Sequence, residues 1–149
     1  MAEITAQAAA GAPSSRRAAE LLTRADAELI AAQFSPEPWE RFSHAHLAAL
    51  RAGAALVASR GKPGGRRSPR SVWGMVAVVA PELRSWADHF EEAARLRSAV
   101  EAGRFDVVSA ERGDQALCDA EDFVDAVRET VEADAGGRAP RMLAVRAAS

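Results

Sequence analysis

The side chains able to do chemistry in this sequence are few, and they cluster. Five cations, Arg60, Lys62, Arg66, Arg67 and Arg70, surround the stretch Gly61-Lys62-Pro63-Gly64-Gly65. Arginine pairs bidentately with phosphate oxygens. A flexible loop of this kind, over 61–68, can therefore wrap the backbone of RNA or single-stranded DNA, in a salt-dependent way indifferent to base sequence. No aromatic residue lies inside the loop, and Trp73 nearby is expected in the core, so base stacking has no platform there. The same charge suits an acidic protein partner, or the acidic half of a second copy. It also serves simply to keep an inter-helix loop in water.

The histidines are His44, His46 and His89. His44 and His46 are two apart, so on a helix their rings diverge by about 200° and form no metal clip. His46 falls in the middle of an apolar stripe and reads as a core residue bonded to a neighbour. His44 is expected to face outward with Arg41 and Arg51, where nearby positive charge lowers a histidine's pKa. Asp122 and Asp125, or Glu121 and Asp125, share a helix face and could hold a divalent metal, yet no histidine joins them, and a solvated acidic face is the expectation. No metal and no cofactor is expected. The lone thiol, Cys118, has Asp119 and Asp122 beside it, which disfavours a thiolate nucleophile. There is no P-loop, no dinucleotide-binding glycine pattern and no Gly-x-Ser-x-Gly.

These residues must be positioned by helices. Alanine, the best helix former, fills 36 of 149 positions. Residues 1–13 read as a disordered leader, with Ser14 or Ser15 capping a first helix along Ala18, Leu22, Ala25, Leu29 and Ala32. Ser35-Pro36-Glu37-Pro38 starts a second helix, with stripe Trp39, Phe42, His46, Leu50, Gly53 and Val57, ending near Arg60. A third begins at Ser68-Pro69 and carries Val72, Met75, Val76 and Val79. Its β-branched content makes a strand the alternative. A fourth spans about Glu82 to Glu101, after Pro81. Ser109 caps the last, with stripe Leu117, Ala120, Val124, Val127 and Val131, stopped by Ala135-Gly136-Gly137. Residues 136–149 read as a disordered tail. Stripes of this kind can be buried only against each other, so the expected fold is all-α, a four- to five-helix bundle formed by one domain over 14–135.

Charge is unevenly spread. Residues 41–81 hold seven basic groups and no acid, whereas 82–134 hold fifteen acids and six bases. The net charge of −2 conceals a dipolar molecule. One cysteine excludes an intrachain disulfide and a cysteine-built zinc site. No apolar run is long enough for a membrane span, and no signal peptide is evident, which makes the cytoplasm the expected location.

Arg41-Phe42-Ser43-His44-Ala45-His46 has the form arginine, apolar residue, three others, histidine. This resembles the signature of the HEPN superfamily of helical domains from higher eukaryotes and prokaryotes. The stretches 40–56 and 71–87, together with Val108-Ser109-Ala110 and Asp119-Ala120-Glu121-Asp122-Phe123, are similar to a small actinobacterial branch of it, so that the likeness runs from about residue 15 to 133. It implies a small helical bundle, often a homodimer. Some members are metal-independent ribonucleases and others only bind nucleotides or RNA. Under the ribonuclease reading, His46 is the general acid or base and Arg41 stabilises the pentavalent phosphate. A second match runs from Arg84 to His89. In catalytic members the motif usually lies late in the bundle, whereas the better match here lies in the second helix, and residues five apart on a straight helix point about 140° from each other. The leading expectation is therefore a binding domain without catalytic machinery, with the ribonuclease and a purely structural partner protein as alternatives.

Overall fold

A computed structural model describes the backbone of residues 2–137, with side chains from Pro13 onward. Among the described residues there are five α-helices and no strand. They are α1 (Ala2–Phe34), α2 (Pro38–Arg60), α3 (Val72–Val79), α4 (Arg84–Glu101) and α5 (Ala110–Gly137). Single 3-10 turns, Pro81–Leu83 and Phe105–Val107, lead into and follow α4.

The bundle is built around α2. None of its 23 residues is exposed, and it packs against α1, α3, α4 and α5. The stripe read from sequence covers one side of it. Ala45, Ala48, Ala49, Ala52 and Ala55 bury the rest, because methyl side chains let neighbouring helices approach from every direction. Gly53 and Gly113 mark close approaches of α3 and α5 to this helix. A Cβ at Gly53 would stand 2.9 Å from Val72 Cγ1, and one at Gly113 would stand 2.9 Å from the Pro38 carbonyl oxygen. The centre is aromatic. Trp73 stacks on Phe90 at 5.0 Å, and Phe123 meets Phe90 at 5.1 Å and Trp86 at 5.8 Å.

Three boundaries differ from the sequence expectation. The first helix passes through Pro13 from Ala2, so neither Ser14 nor Ser15 starts it, and residues 2–13 belong to the helix rather than to a leader. The alanine-rich composition sustains helix across a proline that would otherwise end it. The third helix starts at Val72, three residues after Pro69, because Ser71 rather than Ser68 is the cap, its Oγ accepting from the Gly74 amide at 3.0 Å. The last helix continues through Gly136 and Gly137. The rest of the expected tail, 138–149, lies outside the described residues. Ser109 caps α5 as its sequence suggests, accepting from the Arg112 amide at 3.0 Å.

Candidate functional site: a histidine cleft and a basic loop

Arg41 and His46 leave α2 in different directions. Arg41 turns toward the junction of α1 and α5. Its Nε donates to the Ala32 carbonyl at 3.2 Å, Nη2 donates to the Ser35 carbonyl at 3.1 Å, and Nη1 pairs with Asp114. The guanidinium thereby adds a donor to the Ala32 carbonyl, which also accepts from the Ser35 amide, meets the Ser35 carbonyl and ties the end of α1 to the first turns of α5. His44 pairs through Nδ1 with Glu28 of α1 at 2.7 Å. Its neighbour is an acid, and it is half-buried rather than turned outward beside Arg51.

His46 points inward. Only 3% of it is exposed, and it packs among Phe42, Trp73 and Phe90. The hydrogen-bonding neighbour expected for a core histidine is missing. Its Nδ1 is fully buried and has no partner among the described residues. Burial, aided by the positive charges of Arg97, Arg112 and His89, lowers its pKa from 6.5 to about 4. The ring is therefore neutral at pH 7.

Beside it lies a small cleft between α2, α4 and α5, with room for about one water molecule. His46, His89, Arg112 and Asp119 are its polar walls. Asp119 is held from two sides, by His89 Nε2 at 2.9 Å and by Gln115 Nε2 at 2.9 Å. The Arg112 guanidinium lies over the Phe42 ring, 5.1 Å from its centroid, with no acid paired to it among the described residues. Two histidines, one anchored to a carboxylate, and an arginine thus line one water-sized space, and residues of these types can act as acid, base or anion partner. Among the described residues, no three His, Cys, Asp or Glu side chains are placed to hold a metal ion. Cys118 is exposed.

The basic loop divides. Arg60 is engaged at its base: Nε and Nη2 bond both oxygens of Asp134 at 3.0 and 3.3 Å, Nη1 donates to the Val79 carbonyl at 3.0 Å, and Glu82 completes the group. Arg60 therefore leaves the set of five expected to meet a partner. Lys62, Arg66, Arg67 and Arg70 are exposed, and none pairs with an acid among the described residues.

A family model, SAV_6107-like HEPN, matches residues 32–128. The chain belongs to this HEPN family. Comparison with curated proteins and with solved structures gave no match. The matched span runs from the end of α1 through most of α5, so it takes in both the cleft and the loop of this HEPN domain. Within the HEPN fold the two arginine–histidine motifs separate. The first places Arg41 and His46 on different faces of α2. The second places His89 in the cleft. Arg112 and Asp119 were not among the candidate site residues, because nothing local marks two positions of α5 as neighbours of histidines on α2 and α4. No described helix of the HEPN domain is long and apolar enough to cross a membrane.

Proposed function

We propose that this HEPN domain is a binding module whose contact surface for RNA or single-stranded DNA is the loop carrying Lys62, Arg66, Arg67 and Arg70. The observation that carries this reading is the exposure of these four cations with no acid paired to them. Phosphates are the anions that such arginines take bidentately. Fluorescence anisotropy with labelled RNA and single-stranded DNA at low salt tests it. Binding should weaken steeply as salt rises and be lost when Arg66→Glu and Arg67→Glu are combined. No binding at micromolar protein, or binding unchanged by that double reversal, removes the reading.

A metal-independent ribonuclease is the second reading, favoured by the meeting of His46, His89 and Arg112 at one cleft. It requires cleavage that leaves a 2′,3′-cyclic phosphate and that is lost in both His46→Ala and His89→Ala with the fold intact. Arg41 is engaged by α1 and α5, so Arg41→Ala acts in this reading on stability. A candidate homodimer surface is formed by Ile30 and Phe34, which are 56% and 81% exposed one turn apart on α1. Light scattering of the parent and of Phe34→Glu tests it: the parent should have twice the monomer mass and the variant should not.

A further inference from the structure

A groove of about 370 Å³ runs between α1, α2 and α3. Its walls are Leu21 from α1, Ala54, Val57 and Ala58 from α2, and Val72 and Met75 from α3. The close approach of α3 to α2 at Gly53 sets Val72 in the wall. Arg17 on α1 and Lys62 at the start of the loop are the charged lining residues, and no carboxylate lines the groove.

An occupant must match an apolar wall with two cations at its lip. A nucleobase matches poorly. Its polar edges would find no uncharged donor or acceptor side chain, and its face no aromatic ring to stack on. A polypeptide with aliphatic side chains on one face and carboxylates beside them matches both features. The aliphatic groups fill the groove in the manner of helix-in-groove recognition. The carboxylates meet Arg17 and Lys62, with Arg66 and Arg67 farther along the same loop. A methionine in the wall adapts to side chains of differing shape. The positive lip also rejects a basic segment of equal apolarity.

We infer that the groove docks an acidic amphipathic segment of another protein. The groove shares Lys62 with the nucleic-acid reading but stands if that reading fails, since Ala58→Glu and Met75→Glu leave all four loop cations in place.

The test is anisotropy at low salt with the full chain and a labelled synthetic helical peptide bearing leucines at i, i+3 and i+7 and glutamates between them. Two companion peptides replace the glutamates with lysines, or the leucines with serines. The acidic peptide should bind and both companions should fail. Affinity should fall by at least about tenfold in Ala58→Glu and in the combined Arg17→Glu, Lys62→Glu variant. Met75→Glu serves if Ala58→Glu loses its helical circular dichroism. Absence of binding, equal binding of the lysine peptide, or a folded groove variant that keeps full affinity overturns the inference. So does loss of single-stranded RNA binding in Ala58→Glu with peptide binding unchanged, which would give the groove to nucleic acid.

Discussion

The histidine cleft and the basic loop hold the most suggestive side chains of this HEPN domain, and they differ in what those side chains already do. Of the cleft's polar walls, His89 and Asp119 hold each other, and elsewhere on α2 Arg41 is held by α1 and α5 and His44 by Glu28. On the loop, four cations have no acidic partner among the described residues, and only Arg60 is tied down. Residue type alone does not separate these cases. A group whose hydrogen bonds are met inside the fold acts first on stability. A group left exposed and unpaired is the one available to a partner.

The sharpest break in that comparison is His46, a polar group inside the bundle with no partner. In the folded chain it stays neutral down to about pH 4, whereas unfolded it takes a proton below about pH 6.5. The stabilisation is complete above pH 6.5 and is lost as pH falls toward 4, by about 3 kcal/mol in all. Urea melts across this range should show the loss in the parent. His46→Leu should remove that part of the slope and, at pH 7, match or exceed the parent, because it removes an unsatisfied buried nitrogen.

Arg41→Ala comes next. It removes donors from two carbonyls and the partner of Asp114, and should lower unfolding free energy by about 2 kcal/mol in a denaturant melt. Gly113→Ala should lower it by about 1–3 kcal/mol, because its Cβ meets backbone at Pro38 rather than a side chain able to turn aside. The smallest effect on stability belongs to the loop. Combined Arg66→Glu and Arg67→Glu should shift unfolding by no more than about 0.5 kcal/mol, while removing nucleic-acid binding. A large loss of stability in that variant would show that the loop is engaged in the fold after all.

Local signals were readable in proportion to how local their physics is. The stripes of α1, α2 and α5 and the cap at Ser109 follow from spacing within a few residues. The helix at Val72–Val79, ambiguous from its valines, is decided by the Ser71 cap and by the aromatic core that Trp73 enters. The engagement of Arg60 was not readable, because Asp134 lies 74 residues away. The same holds for Arg41 and Asp114, 73 apart. The cleft needs three helices at once, so neither Arg112 nor Asp119 could be assigned to His46 from sequence. The buried alanine faces of α2 were hidden for another reason: alanine fits exposed and enclosed helix faces equally well.

That last feature governs how the central helix can be interrogated. Six of the ten buried positions of α2 are already alanine or glycine. Truncation scanning would therefore pass over most of the helix in silence. Enlargement is the informative direction. Alanine to valine or leucine at Ala45, Ala49 and Ala52 would map, by the penalty at each step, how closely the surrounding helices press upon it.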